Sequence, residues 1–136
     1  MTLLIDTNVI LDILEKREPF FAASFAALQQ ATVSKHRILF SASSVKDIFY
    51  LMRSHTGNTE KAKSAVTKLL TLVQVCDTLA SDINTAGTYT IADFEDAVLA
   101  ATAARENADY IISRNKNDFA NSPVKAISPS DYISSN

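Results

Sequence analysis

The sequence contains few of the residues that interrupt regular structure or crosslink a chain. Two glycines, three prolines and no tryptophan occur in 136 residues, so long loops are not expected. The single cysteine, Cys76, excludes an internal disulfide and favours a reducing cytoplasm. No apolar run reaches the roughly 18 residues of a membrane helix, and the N-terminus lacks the basic segment and cleavage site of a secretory signal. We therefore expect one cytoplasmic domain over residues 1–136, with no membrane contact.

An excess of basic residues is also missing. The net charge is −2 and the isoelectric point about 5.6, which excludes a protein that coats nucleic acid through a broad basic face. Any contact with RNA is therefore expected to be small and centred on one site. The sequence has no Cys-x-x-Cys pair, no glycine-rich phosphate loop and no Ser–His–Asp order, so the chemistries that use these motifs have no support.

Short apolar runs alternate with helical patterns along the chain. The runs predict buried strands at residues 3–5, 38–40, 72–75, 110–112 and 124–127. The helical patterns cover residues 8–15, 19–30, 42–54, 59–70, 82–88 and 93–105, and Ser128-Pro129 opens a last helical turn. This alternation predicts an α/β fold, a three-layer sandwich in which a parallel sheet of about five strands is flanked by helices.

Several residues predict where these helices begin and which face they bury. We expect Thr7 or Asn8 to cap the first helix and Thr59 to cap the fourth. The second helix is expected to present one shared apolar face, formed by Phe21, Phe25 and Leu28.

Four aspartates lie in short acidic motifs spread along the chain: Asp6, Asp47, Asp96 and Asp118. Acids at the strand ends and helix starts of an α/β fold can converge on the sheet edge where ligands bind. Carboxylates gathered in one pocket repel each other unless a cation neutralises them, and oxygen ligands favour Mg²⁺ or Mn²⁺. The pattern therefore predicts a metal-dependent site for phosphoryl chemistry, such as nucleic acid cleavage.

Each of these aspartates also has a structural interpretation. Asp6 could cap the first helix, and Asp118 could cap a short turn. Asp47 could face solvent and pair with Lys46 or Arg53, and taken alone this interpretation is slightly favoured. The four motifs together favour the site.

The acids at the start of the sixth predicted helix are expected to have different roles. Asp93 and Asp96 are three residues apart and share one helix face. We expect Asp93 to cap the helix and Asp96 to bind the ion, because an acid at the N-cap position accepts hydrogen bonds from first-turn amides. Glu95 is expected to point elsewhere and to be exposed to solvent.

Polar residues that follow the fourth predicted strand also face the expected site edge. We interpret Arg114, with Lys116, as a residue that orients a phosphate backbone near the carboxylates. Asp12, on the first helix, is interpreted as a structural residue. The tyrosines, Tyr50 among them, are interpreted as core or rim residues and not as a stacking platform for bases.

Taken together and in this order, the motifs resemble those of the PIN domain family, specifically its VapC-like toxins from toxin–antitoxin pairs. The resemblance is carried by Leu4-Ile5-Asp6-Thr7-Asn8, Asp47, residues 96–103 and residues 113–119. It covers nearly the whole chain in the right order. It implies a metal-dependent endoribonuclease that cleaves RNA phosphodiester bonds, with a small antitoxin and a second copy of the chain as partners.

The resemblance also implies roles for individual residues. Metal binding and catalysis fall on Asp6, Asp47, Asp96 and Asp118, with Mg²⁺ or Mn²⁺ as the cofactor. The positions that brace the pocket fall on Asn8, Ser113 and Asn115. Two departures are visible: Asp47 stands where many PIN domains have Glu, and Ser113 stands where Thr is more usual.

Three other classes of protein compete with this interpretation. One is a catalytically silent PIN-like scaffold that acts as a regulatory binding module, although all four acids are present. The others are a phosphotransfer receiver and an aspartate-nucleophile phosphatase. A receiver needs adjacent acids after its first strand, and such a phosphatase needs a second aspartate at the position of Asn8, so both fit poorly.

Overall fold

The structure, a computed structural model, describes residues 1–135 and contains a five-stranded parallel sheet covered by helices. The strands are β1 (Thr2–Ile5), β2 (Arg37–Ser41), β3 (Gln74–Cys76), β4 (Tyr110–Ile112) and β5 (Ala126–Ile127). The helices are α1 (Thr7–Leu14), α2 (Phe21–Val33), α3 (Ala42–Thr56), α4 (Thr59–Leu72), α5 (Ala80–Ala86), α6 (Phe94–Arg105) and α7 (Pro129–Ser134), with a 3-10 turn at Lys116–Phe119. The predicted α/β sandwich is confirmed. The prediction of one domain over residues 1–136 includes Asn136, which lies outside the described residues.

The strand order β3-β2-β1-β4-β5 places β1 at the centre of the sheet. Leu3 of β1 pairs with Ile38 of β2 on one side and with Tyr110 of β4 on the other. All neighbouring strands are parallel, so their carboxyl ends meet at the same edge. The residues that directly follow β1 and β4 therefore lie beside each other, and the Asp6 N–H donates to the Ile112 carbonyl at 2.9 Å.

Both faces of the sheet are buried, which explains why the strands are apolar without alternation. Leu3 and Ile5 pack in one core cluster with residues of α1, α2, α3 and α4. Leu4 points to the opposite face and packs with Leu99 and Ala103 of α6. The small alanines of α6 are buried against the sheet, so this helix lies close to the strands and is held firmly there.

Three details of the helices differ from the sequence predictions. Asp6, not Thr7 or Asn8, is the N-cap of α1, because its backbone is extended and its carboxylate accepts from the Thr7 N–H at 2.8 Å. Asn58, not Thr59, caps α4, and its Oδ1 accepts from a first-turn amide. The predicted apolar face of α2 is only partly buried: Leu28 enters the core, whereas Phe25 is 46% exposed.

The ends of α6 and α7 follow the predictions. Asp93 is the N-cap of α6 and accepts from the Asp96 N–H at 3.1 Å. Ser128 caps α7, with Pro129 in its first turn. Across residues 1–135, no helix has both the length and the apolar character needed to cross a membrane.

Candidate active site

A pocket at the carboxyl edge of the sheet brings three of the four predicted aspartates together. Asp6 reaches it from the end of β1, Asp47 from α3, and Asp96 from the first turn of α6. Glu95 is exposed to solvent, as expected, but it also lines this pocket, so it does not point away from the site. We call this cavity the carboxylate pocket. Acids from three separate elements therefore meet in one place: Asp6 comes from a strand end and Asp96 from a helix start, whereas Asp47 comes from the interior of α3.

Asp6 serves the fold and the pocket with different oxygens. Its Oδ1 caps α1 through the Thr7 N–H. Its Oδ2 accepts from the Ser113 hydroxyl at 2.7 Å and from the Asn8 Nδ2 at 3.4 Å. Burial raises the pKa of Asp6 above its ordinary value, although these hydrogen bonds oppose the effect, and the nearby charge of Asp118 raises it further. The side chain is thus fixed in orientation and lies in a field of negative charge.

The pKa of Asp96 is raised strongly by its position in the pocket. Burial raises its pKa from 3.8 to about 7, and the charges of Asp6, Asp93 and Asp118 add to the rise. A carboxyl group in this state is partly protonated near neutral pH. A bound cation would replace that proton, because it stabilises the charged form of every acid around it.

Asp47 lines the pocket from α3 and is half-buried. Within residues 1–135 it forms no ion pair with Lys46 or Arg53, and the Arg53 Nε donates instead to Thr59. The alternative of a solvent-facing, paired Asp47 therefore does not describe this arrangement.

Asp118 lies in the 3-10 turn and is exposed, and its N–H donates to the Asn115 carbonyl at 3.0 Å. It is not among the residues that line the carboxylate pocket. Its charge still raises the pKa of both Asp6 and Asp96, so it lies near enough to affect their ionisation.

The predicted bracing residues form a short hydrogen-bonded network behind Asp6. The buried Ser113 hydroxyl donates to Asp6 and accepts from the Asn115 N–H at 3.0 Å. Asn8 accepts from the Arg114 N–H at 3.2 Å through Oδ1 and donates towards Ser113 at 3.4 Å. This network connects the segment after β4 to the start of α1 and sets the orientation of the Asp6 carboxylate.

Arg114 is engaged in the interior and not in the carboxylate pocket. Its Nε and Nη2 contact the two oxygens of Asp12 at 2.8 and 3.2 Å, and its guanidinium lies 3.9 Å above the Phe20 ring. Asp12 is 0% exposed and also accepts from the Ser24 hydroxyl. Sequence reasoning placed Asp12 correctly as structural but missed its partner, because 102 residues separate the pair and neither neighbourhood signals it.

Lys116, the second residue predicted to contact phosphate, also forms an ion pair. The Lys116 Nζ lies 2.7 Å from the Asp131 carboxylate of α7, and both side chains are about half exposed. Neither Lys116 nor Arg114 is among the residues that line the carboxylate pocket.

Three residues at the mouth of the pocket were not singled out as site residues. Lys46 lines the pocket and is exposed. Tyr50 is 62% exposed and Phe94 is 54% exposed, and both line the same cavity. Tyr50 is therefore a rim residue, one of the two places expected for it. The sequence signal for Lys46 is its position immediately before Asp47.

The residues fit an open site for a hard cation and not a preformed cage. In the described part of the chain, no three His, Cys, Asp or Glu side chains are grouped closely enough to enclose a metal ion. Carboxylate oxygens are among the donors that line the pocket, and the charge of Asp6 raises the pKa of Asp96. Mg²⁺ keeps several waters and commonly uses one or two carboxylates together with substrate phosphate. The hydrogen-bonded carboxylate of Asp6 and the carboxylate of Asp96 in the first turn of α6 meet that need.

Solved structures share this fold. VapBC2 from Rickettsia felis, bound to a DNA fragment from its promoter, matches with a TM-score of 0.76 at 19% identity, covering 94% of this chain and 98% of that chain. FitAcB from Neisseria gonorrhoeae matches with a TM-score of 0.74 at 20% identity, covering 94% and 98%. VapC20 from Mycobacterium tuberculosis, described as a toxin that cleaves the sarcin-ricin loop, matches with a TM-score of 0.63 at 15% identity, covering 80% and 86%. Among curated proteins, none matches the chain.

The fold and the pocket define a single α/β domain with a carboxylate site at the carboxyl edge of a parallel sheet. The family model described as PIN domain matches residues 2–117, which include Asp6, Asp47 and Asp96. This chain belongs to the PIN domain family.

Proposed function

We propose that this protein is a metal-dependent endoribonuclease that cleaves RNA phosphodiester bonds. The observation that carries the proposal is the convergence of Asp6, Asp47 and Asp96 on one pocket, where burial and neighbouring acids raise the pKa of Asp96 to about 7. Membership of the PIN domain family supports it. Such a concentration of carboxylates disfavours its own ionised state, and a divalent cation relieves that repulsion.

Asp6 and Asp96 would hold the principal Mg²⁺ or Mn²⁺ ion, and Asp47 and Asp118 would complete the acidic field around it. A divalent cation held there supplies Lewis acidity at the scissile phosphate and lowers the pKa of nearby water, so no histidine base is required. The chain's own contribution is to fix the carboxylates in advance.

The bracing residues supply that fixed geometry. Ser113 and Asn8 hold the Oδ2 of Asp6, and Asn115 holds the Ser113 hydroxyl in turn. Asp93 fixes the start of α6 and therefore the position of Asp96. Removing one of these contacts is expected to weaken metal binding while the four aspartates remain in place.

We further propose that the protein is the toxin of a toxin–antitoxin pair in the cytoplasm, and that the PIN domain comprises residues 1–136. Two of the matched structures are a VapBC complex and FitAcB, which share the fold. Tyr50, Ile83 and Phe94 are exposed apolar residues around the mouth of the pocket. A small antitoxin could cover them and place a basic side chain among the carboxylates. Self-association into a homodimer stays a prediction from the family resemblance.

A second candidate function is a catalytically silent PIN scaffold that regulates by binding. One observation favours it: no preformed group of three ligands exists within residues 1–135. Titration of the protein with Mn²⁺ by calorimetry separates the two candidates. A nuclease binds the ion with Asp6 and Asp96 intact and loses binding in Asp96→Asn, whereas a silent scaffold need not bind it.

The direct test is RNA cleavage. Purified protein is incubated with total RNA and Mn²⁺ or Mg²⁺, beside Asp6→Asn, Asp96→Asn and a chelator. Glu60→Gln, which removes one exposed acid from the first turn of α4, is the matched control. Cleavage by the wild type and the control, lost in both aspartate variants and with chelator, supports the proposal. Metal-dependent cleavage that persists in both aspartate variants would refute it.

A further inference from the structure

The carboxylates of an acidic pocket repel the phosphates of an RNA substrate, and a bound metal ion would neutralise only part of that negative charge. Four carboxylates line the carboxylate pocket, those of Asp6, Asp47, Glu95 and Asp96, and all of them repel the phosphates that flank the cleaved bond. Lysine and arginine contacts to phosphate supply a large and often dominant share of the affinity of proteins for nucleic acid. A basic side chain at the pocket is therefore needed for the substrate backbone to enter in register.

The basic residues predicted for this task are engaged elsewhere. Arg114 uses Nε and Nη2 to neutralise the fully buried Asp12, and withdrawing it would leave an unpaired charge in the core. Lys116 lies beside Asp131. Their pair is exposed and therefore weak, but Lys116 does not line the carboxylate pocket.

Lys46 has the properties that these two residues lack. It is the one basic residue among those that line the carboxylate pocket, and it is exposed. Within residues 1–135 it forms no ion pair with any acid, including its neighbour Asp47. Consecutive helix residues point about 100° apart, so Lys46 and Asp47 reach the same cavity from different directions.

Hydroxyl groups also line the pocket. Ser43 and Thr78 line it beside Lys46, and the Thr78 hydroxyl lies 3.1 Å from the Ser43 hydroxyl. Hydroxyls are neutral groups that donate to phosphate oxygens without adding repulsion. Lys46, Ser43 and Thr78 thus give the pocket one positive and two neutral polar groups beside its four carboxylates.

We propose that Lys46 binds a backbone phosphate of the RNA substrate next to the cleaved bond and so positions that bond over Asp6 and Asp96. This inference rests on the proposed function, since it assigns the substrate-binding residue of the same pocket. Lys46 contributes to RNA binding and to the placement of the cleaved bond, whereas the carboxylates contribute to the cleavage reaction.

The first arm of the test compares cleavage kinetics of wild type, Lys46→Ala, Lys46→Arg and Lys63→Ala. Lys63 is the matched control, because it is an exposed lysine of α4 that does not line the pocket. Loss of one charged contact to phosphate predicts that Lys46→Ala raises KM about tenfold and changes kcat much less. Lys46→Arg is expected to restore KM, and Lys63→Ala to leave it unchanged. An unchanged KM in Lys46→Ala, or an equal loss in Lys63→Ala, overturns the proposal.

The second arm measures binding without cleavage, in the Asp96→Asn background, with a labelled single-stranded RNA of mixed sequence. Adding Lys46→Ala is expected to raise Kd about tenfold and to reduce the slope of log K against log salt by about 0.7. Equal affinity and equal slope in the two proteins, or no RNA binding by either, overturns the proposal. This arm tests the role of Lys46 in RNA binding even when the wild type shows no cleavage. Absence of cleavage by the wild type would count against the proposed function and not against the role of Lys46 in binding.

Discussion

Replacing Asp96 by asparagine is expected to stabilise the folded protein at alkaline pH and to change it little at acid pH. The folded-state pKa of Asp96 is about 7, against an ordinary value of 3.8, because burial and the neighbouring acids disfavour its charge. The folded state therefore retains a proton between these two pH values that the unfolded state has lost. The free energy of unfolding of the wild type consequently falls as pH rises from about 4 to about 7.

The size of this effect follows from the difference in pKa. A difference of about 3 corresponds to about 4 kcal/mol, which is an upper limit because Asp96 is half-buried and water reaches its carboxyl group. We expect Asp96→Asn to raise the free energy of unfolding by about 1 to 2 kcal/mol at pH 8 after this discount for solvent screening. At about pH 4 the carboxyl is protonated in the folded state and about half protonated in the unfolded state, so the two proteins should agree within about 0.5 kcal/mol.

Urea unfolding of both proteins at the two pH values, without divalent ions, measures this difference. Glu95→Gln is the matched control, because its charge is the smallest named cause of the raised pKa of Asp96. It should show little change at either pH. A gain in Asp96→Asn that is the same at both pH values, or a loss that appears only at pH 8, would refute the electrostatic account of the pocket.

Three further results are expected. Mg²⁺ or Mn²⁺ at about 100 times its Kd should raise the free energy of unfolding of the wild type by about 2.7 kcal/mol at pH 8, and by much less in Asp96→Asn; equal stabilisation of both would place the ion elsewhere. Arg114→Met should destabilise the protein by about 3 to 5 kcal/mol in urea, because it leaves Asp12 charged and unpaired in the core, whereas the double variant with Asp12→Leu should recover much of the loss; no recovery would contradict this reason. Ser113→Ala should weaken Mn²⁺ binding in calorimetry about tenfold, since it removes the 2.7 Å hydrogen bond that orients Asp6, and unchanged affinity would show that this contact does not set the site.

The parts of the structure that could be predicted from the sequence are those with local causes. Leu3, Leu4 and Ile5 form an uninterrupted apolar strand because both faces of the sheet are covered, and this pattern is visible in the sequence alone. Asp93 was expected to be a cap because it stands three residues before Asp96, and it is one. Asp6 was placed at the pocket because it directly follows the first strand.

Interactions between distant segments could not be predicted in the same way. The pairing of Arg114 with Asp12 depends on how α1 packs beside the segment after β4, and no local pattern encodes that. The exposure of Phe25 depends on which side of α2 the rest of the protein covers. Within residues 1–135 Lys46 forms no ion pair, although Asp47 follows it directly, and sequence proximity alone does not predict this.

The two oxygens of Asp6 have separate tasks, and this division decides how an inactive form of the protein should be made. An alanine at this position would remove the helix cap together with the carboxylate, at a cost of about 1 kcal/mol in stability. Asparagine keeps an oxygen that can accept from the Thr7 N–H, removes the charge, and replaces the oxygen that accepts from Ser113 and Asn8 with an amide donor. Under the proposed function, Asp6→Asn is therefore the substitution expected to silence the pocket and keep the cap of α1, which gives a folded protein suited to capturing the proposed antitoxin from living cells.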